Sequence, residues 1–375
     1  MLYRSDKNIG EVSLLGFGGM RFPVREDGSV DEPEAIRMVR RAIDSGINYV
    51  DTAYPYHDGT SEVIIGRALK DGYRERALLA DKLPIWLVRK EEDVRRIFEE
   101  QRQRLDVDCI DLYLVHCVEQ YAWKTMKKCN VMPILEELKA EGKIRHIGFS
   151  FHDKYELFEE VIDSFPWEFC QIQLNYVDTE FQAGLKGLRY AADRGIPVVI
   201  MEPLKGGRIV DALPPAIEEL WQEAPASRRP VEWAFKWVAS QPGILTILSG
   251  MSSMDQMEEN LAIFNDEDLP HLTDEENGHI MRVADLYRKL IKYPCTECRY
   301  CMPCPNKVNI PKSIRYYNDW GAYEHNPKLK QEYLTWLDAK EHASNCVKCG
   351  KCEEACPQHL PIMQILDEVV DAFGV

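Results

Sequence analysis

The chain has 375 residues, of which 45% are hydrophobic and 29% charged, enough apolar material for one large domain and one small one. Its formal net charge of -16 speaks against a phosphate-backbone ligand such as nucleic acid. No apolar run approaches the length of a membrane span, so a soluble protein is expected, and twelve cysteines with no export signal ahead of them are expected to be reduced, as in the cytoplasm.

From residue 14 to about 265, short apolar runs alternate with amphipathic stretches at a spacing of roughly 30 residues, as repeated βα units do. Eight strand-like runs are found: SLLGFGGM, INYVDTA, ALLADKL, CIDLYLVH, HIGFSF, FCQIQLNY, PVVIMEP and ILTILSG. Their near-continuous apolarity predicts strands covered on both faces, hence a parallel sheet wrapped by helices. In the stretch EPEAIRMVRRAIDSG, Ile36, Val39 and Ile43 are expected on the inner face, with Pro33 opening the helix and Gly46 ending it. Eight units in about 250 residues predict a (β/α)8 TIM barrel in an α/β protein, spanning residues 1–285. The stretch DLPHLTDEENGHIMRVADLYRKLIKY reads as a helix connecting it to a small, mainly helical domain at 286–375.

That last domain carries eight of the twelve cysteines, in the runs YPCTECRYCMPCPNKVNIP and NCVKCGKCEEACP. Neighbouring C-x-x-C thiols make poor structural disulfides in a chain without an export signal. Zinc ribbons place two C-x-x-C pairs on either side of a longer loop, whereas these cysteines follow one another without a break. Cys346, Cys349, Cys352 and Cys356, closed by Pro357, match the C-x2-C-x2-C-x3-C-P run of bacterial ferredoxins. The expectation is two 4Fe-4S clusters. The crossed assignment gives Cys295, Cys298, Cys301 and Cys356 to one, and Cys346, Cys349, Cys352 and Cys304 to the other. Cys301 and Cys304 are separated by two residues rather than three, and the 41 residues between the runs contain helical stretches such as PKLKQEYLTWLDAK.

Barrel chemistry sits at the C-terminal ends of strands. Four polar residues stand there or just beyond: Asp51, Tyr56, Lys82 and His116. A carboxylate, a phenol, an ammonium and an imidazole projecting into one mouth form a proton-transfer set. Lys82 would favour the Tyr56 phenolate, Asp51 would keep Lys82 charged, and His116 would orient a carbonyl oxygen. Glu62 reads as a helix cap or buttress, Cys109, Cys117, Cys129 and Cys170 as small core or surface residues, and Tyr121 and Trp123 in the loop YAWKTMKKC as part of a substrate rim or a plain surface lid. In the last helix, Ile362, Ile365, Leu366 and Val369 are spaced to pack inward.

The stretches GINYVDTAYPYHDGTSEVIIGRAL, LADKL, DLYLVH, GKIRHIGFS, QIQLNY and GMSSMDQMEENL resemble, in order and spacing, the aldo-keto reductases over most of residues 1–265. The resemblance implies hydride transfer between NAD(P)(H) and a small carbonyl or alcohol, with Tyr56 as general acid supported by Asp51, Lys82 and His116. It also implies that Ser150 and Gln171 hold the nicotinamide carboxamide. Lys205, Gly206 and Gly207 would wrap the pyrophosphate, and Glu259 and Asn260 would grip adenine. Phe151 stands where the family usually has an asparagine, and residues 249–260 contain no Lys or Arg to pair a 2′-phosphate, which leaves NAD(H) and NADP(H) as equal candidates. Hydride moves as an electron pair while clusters carry single electrons, so a flavin, FMN or FAD, or an external electron-transfer protein is a further candidate. The other readings are an electron-transfer module or a redox sensor without carbonyl chemistry, and clusters that serve only as staples.

Overall fold

The computed structural model describes residues 1–323 and 325–375, and they divide into two compact units. The first comprises Met1–Pro203 and Phe235–Leu272; the second comprises Leu204–Ala234 and Thr273–Val375.

In the first unit a hairpin of β1 (Tyr3–Asp6) and β2 (Gly10–Ser13) precedes eight parallel strands. These are β3 (Leu15–Gly18), β4 (Tyr49–Asp51), β5 (Leu78–Pro84), β6 (Ile110–Val118), β7 (Ile144–Phe151), β8 (Phe169–Gln173), β9 (Val198–Met201) and β10 (Ile244–Ser249). They close in chain order, β10 pairing with β3, into the (β/α)8 TIM barrel expected from the sequence. The strands are buried almost throughout, which is why their sequences show apolar runs rather than alternation. Ile9 and Val12 of the hairpin segment join Tyr49, Ala80, Leu112, Leu114, Phe169, Val199, Leu245 and Leu248 in one apolar cluster. That cluster fills the interior from the N-terminal side and leaves the C-terminal ends of the strands for chemistry.

The helix Glu32–Asp44 starts at Asp31, whose carboxylate accepts the Glu34 N–H, and has Pro33 in its first turn. Its buried stripe is Ala35, Met38, Val39, Ala42 and Ile43. Ile36 is only half-buried, because the inner face runs one position behind the expected line. The segment after β6 is a helix, Gln120–Lys128, rather than a loop. Trp123 is buried, its indole N–H donating to Glu160 at 2.6 Å, whereas Tyr121 is 55% exposed.

The second unit is mainly helical: Pro215–Gln222, Asp274–Leu290, Ile310–Ala322, Pro327–Trp336 and Ile362–Phe373. Thr273 and Glu276 close a reciprocal cap on the long connecting helix. Ile362, Ile365, Leu366 and Val369 enter a core with Val308, Ile314, Tyr333 and Phe373, bordered by the cysteine runs. Among the described residues no helix is long and apolar enough to cross a membrane.

Gly66 shows how tightly the barrel's helices are packed. A Cβ there would lie 2.3 Å from the Leu105 carbonyl oxygen, a backbone atom that cannot swing aside. Gly66→Ala therefore destabilises the protein by about 1–3 kcal/mol, although alanine favours a helix over glycine by about 1 kcal/mol. Urea unfolding of the two proteins measures the difference.

Candidate active site and cluster cysteines

The closed barrel brings four chain-distant residues to one end. Asp51 ends β4, where Gly18 is its partner on β3 and Ala80 its partner on β5. Lys82 lies opposite Leu114, and Pro84, two residues on, lies opposite His116. Lys82 is 1% exposed; its Nζ donates to Asp51 Oδ1 at 2.6 Å and to the Thr52 carbonyl at 2.7 Å. Asp51 Oδ2 accepts from Gln171 Nε2 at 3.3 Å, so both carboxylate oxygens are engaged. Burial opposes the charge on Lys82, but Asp51, with Tyr56 and Asp81, outweighs it and the ammonium's pKa is raised.

Tyr56 opens the short turn Tyr56–Gly59, where His57 and Asp58 take positive φ of 51° and 55°. His57 Nε2 accepts the Phe22 N–H at 3.0 Å, and its ring stacks on Phe22 at 5.3 Å, fixing the turn. Lys82 Nζ lies 5.0 Å from the Tyr56 ring centre, and His116 meets the ring edge-on at 6.1 Å. Burial pushes the Tyr56 phenol up to about 12 while Lys82 pulls it down, so burial outweighs the expected favouring of phenolate. His116, buried beside Trp86, is held well below the usual imidazole range by burial, then by the Lys82 charge, then by His152. Burial raises the Asp51 carboxyl while Lys82 and Gln171 pull it down, so the mouth holds a neutral phenol, a neutral imidazole and an ammonium hydrogen-bonded to a carboxyl group that depends on it to stay ionised. Such a set can donate hydrogen bonds and a proton to a carbonyl oxygen.

Behind Lys82 lies a buried polar layer. Gln101 Nε2 shares its two hydrogens among Glu62 Oε1 (3.0 Å), Asp81 Oδ2 (2.9 Å) and the Lys82 carbonyl (2.9 Å), and Gln101 Oε1 accepts from Tyr113. Glu62 is fully buried and paired with Arg104 at 2.8 Å, the buttress read from the sequence.

Ser150 and Gln171 are register partners on β7 and β8. Ser150 Oγ accepts the Cys117 N–H at 2.8 Å. The Phe151 ring turns into the core, 5.1 Å from Phe158. Asn260 is buried and donates to Ser249 Oγ at 3.0 Å; Glu259, beside it on the helix Met254–Ile263, is half-buried. Two residues of this unit were missed in the sequence. His152, one position past Phe151, is buried and close enough to His116 to lower its pKa; the only signal was its place at a strand end. Arg21 comes from the loop after β3, and its aliphatic stem lies 3.2 Å from where a Gly250 side chain would start. The stem of an arginine thus packs against the lysine- and arginine-free segment 249–260 from far away in sequence.

In the second unit, Lys205, Gly206 and Gly207 have φ of 50°, 69° and 91°. Two glycines in this left-handed region let another group approach the backbone closely. Cys304, Cys346, Cys349 and Cys352, with Cys301, line a cavity of about 100 Å³ whose walls include Ile310, Met363 and Leu366. The thiols surround this space: among the described residues no three Cys, His, Asp or Glu side chains converge as ligands of one ion. The lining residues offer thiols and no histidine or carboxylate, a donor set that suits an iron-sulfur cluster. Cys301 also stands near Cys295 and Cys356 and near Cys352: burial, then the Cys295 and Cys356 thiols, push its own thiol up to about 12.

The sequence profile of the aldo/keto reductase family matches residues 14–284, and that of the 4Fe-4S dicluster domain matches 294–360. The chain belongs to the aldo/keto reductase family and is an oxidoreductase with a C-terminal 4Fe-4S dicluster domain. It is 30% identical over 279 residues to the L-galactose dehydrogenase of Arabidopsis thaliana, covering 67% of this chain and 84% of that one. It is 27% identical over 286 residues to the NADH-specific methylglyoxal reductase of Escherichia coli, covering 64% and 85%. Among solved structures, the holo form of a Bacillus halodurans aldo-keto reductase matches with a TM-score of 0.65 and 26% identity over 76% of this chain and 96% of that one.

Because Lys82 and Asp51 neutralise each other inside the protein, removing one strands the other. Lys82→Met costs about 3–5 kcal/mol of stability, and adding Asp51→Asn restores part of it. Chemical denaturation of the single and double variants gives both numbers.

Proposed function

We propose that this protein reversibly reduces a small carbonyl to an alcohol with NAD(P)H, and that its clusters exchange single electrons with a second redox partner. The observation that carries the first half is the paired, buried Lys82 beside the Tyr56 phenol and the neutral His116. A nicotinamide bound at the strand ends supplies the hydride. The chain's own residues manage the proton: Tyr56 gives it to the carbonyl oxygen, Lys82 stabilises the phenolate left behind, and His116 orients the oxygen. An electron-transfer module or a sensor would not need this arrangement.

Ser150 and Gln171 are the candidates to hold the nicotinamide, and Lys205, Gly206 and Gly207 those to hold the pyrophosphate. Glu259 and Asn260 are assigned to adenine. Both hydrogen bonds found here can be retained on binding: the Ser150 hydroxyl still has a proton to donate while accepting from Cys117, and Gln171 keeps its carbonyl. Among the relatives, the Escherichia coli enzyme is described as NADH-specific, while a Klebsiella pneumoniae aldo-keto reductase was solved with NADPH. Arg21, whose stem packs beside Gly250, is the residue whose replacement tests NADP(H) against NAD(H).

Two clusters in the crossed arrangement are supported by Cys304 sharing a cavity with Cys346, Cys349 and Cys352, and by Cys301 standing near Cys295 and Cys356; Cys301 borders both sets. Bound clusters pass electrons one at a time, and a flavin, FMN or FAD, in the protein or on a partner is the chemical class that can split the hydride's pair. Reduced thiolate ligands of this kind suit the cytoplasm.

Tyr56→Phe is expected to lower carbonyl turnover by about 10²–10⁴ while leaving NAD(P)H binding intact. Wild-type reduction is expected to be flat between pH 7 and 9. His116 is already neutral there, and Tyr56 loses its proton only as pH rises towards about 12. Unchanged turnover in Tyr56→Phe removes the proposal.

For the clusters, Cys304→Ser and Cys349→Ser should each remove the same half of the iron, and the double variant no more. Cys356→Ser should remove the other half. Anaerobic NAD(P)H should bleach the visible cluster absorption of the wild type; no bleaching, with or without added flavin, assigns the clusters to stapling alone.

A further inference from the structure

The segment that follows β9 carries the loop read above as the pyrophosphate grip, and this inference rests on that reading. Leu204–Ala234 forms one compact unit with Thr273–Val375. Within that unit, Arg208 directly follows Gly207, and its side chain is only 13% exposed. Its Nη2 donates to Asp319 Oδ1 at 2.7 Å and its Nη1 to Glu297 Oε1 at 3.2 Å. Asp319 lies on the helix Ile310–Ala322, and Glu297 stands between Cys295 and Cys298 in the first cysteine run. A second guanidinium, Arg315, approaches the same two acids at 3.5 and 3.9 Å, so the pair of negative charges is balanced. The backbone is tied as well: the Arg208 carbonyl accepts from the Tyr287 hydroxyl, and the Ala212 carbonyl from the Tyr323 hydroxyl at 2.8 Å.

These anchors hold a loop that would not keep its shape by local preference. Lys205 has φ of 50°, a left-handed conformation that a residue with a Cβ rarely adopts, and the two glycines after it are free to take many others. Glu297, on the other side of the ion pair, is itself at φ of 54° inside a C-x-x-C turn. Thiolate turns of that type take their shape when metal binds and lose it when metal leaves. The position of Glu297, and through it Arg208, therefore follows the state of the first run.

We propose that Arg208 is a positioning residue through which cluster assembly on the first cysteine run shapes the Lys205–Gly207 loop, so that a dinucleotide's pyrophosphate is gripped tightly only when that cluster is present. Arg208 itself touches no ligand in this scheme. A protein that has lost its cluster releases its nicotinamide cofactor rather than holding it idle.

The test uses the full-length protein purified without oxygen. Hydrogen exchange over residues 204–212 and NADPH binding, read by fluorescence, are measured with clusters intact and after iron is chelated. In the wild type, chelation is expected to speed exchange and weaken NADPH binding, each by about tenfold. Arg208→Met with full iron should match the chelated wild type, and chelating it should add nothing. Glu297→Gln, which keeps every cysteine, should shift in the same direction, and it replaces Arg208→Met as the test if that variant fails to load iron. Arg208→Met and Glu297→Gln that keep wild-type protection and affinity overturn the proposal, as does a chelation effect of equal size in wild type and Arg208→Met. Lys205→Ala separates the two layers: unchanged NADPH affinity in both Lys205→Ala and Arg208→Met overturns the pyrophosphate reading, whereas weak binding in Lys205→Ala alone overturns the role of Arg208.

Discussion

The ion pair between Lys82 and Asp51 is the constraint around which the catalytic end of the barrel is built. An ammonium or a carboxylate alone in this place would cost several kcal/mol in lost hydration. Together, with the Thr52 carbonyl and the Gln171 amide completing their hydrogen bonds, they can remain charged. That requirement fixes the register of neighbouring strands. A slip of one residue between β4 and β5 would turn Lys82 out of the barrel and leave Asp51 unpaired. The buried layer of Glu62, Asp81, Gln101 and Tyr113 holds the strand behind Lys82 in that register.

The consequence for chemistry is a division of protonation states inside a few ångströms. The same low-polarity surroundings that press the ammonium against its carboxylate make phenolate and imidazolium costly. Tyr56 therefore keeps its proton at neutral pH, and in the proposed reaction Lys82 would lower the cost of giving it to a substrate oxygen. Preorganised charge of this kind acts on the transition state without further rearrangement.

The second unit solves a different problem. Its helices bury a modest core of Val308, Ile310, Ile314, Tyr333, Leu366 and Phe373, and the cysteine runs border that core directly. Iron-sulfur bonds would cross-link turns that local propensity alone leaves loose, several of which sit at positive φ, including Glu297, Arg299 and Lys348. The ion pairs of Arg208 carry that order to the glycine loop in the same unit.

Much of this was legible in the order of residues. Continuous apolar runs marked the eight strands, because parallel strands are covered on both faces, and their number and spacing implied closure. The cysteine spacing named the iron-sulfur chemistry, because three of the four thiolates of each cube come from one short stretch and only the fourth from a distance. Asp51, Lys82 and His116 were visible as polar residues in strands that are otherwise apolar, and Tyr56 as the phenol just past one of them. What the tertiary structure alone decided were the contacts between segments remote in sequence: Arg21 against Gly250, Arg208 against Glu297 and Asp319, and the indole of Trp123 turned inward. It also decided the net protonation of Tyr56, since desolvation depends on everything packed around a group and the effect of one neighbouring lysine does not. Periodicity and spacing report local geometry and covalent reach, whereas burial and long-range pairing exist only once the chain has closed on itself.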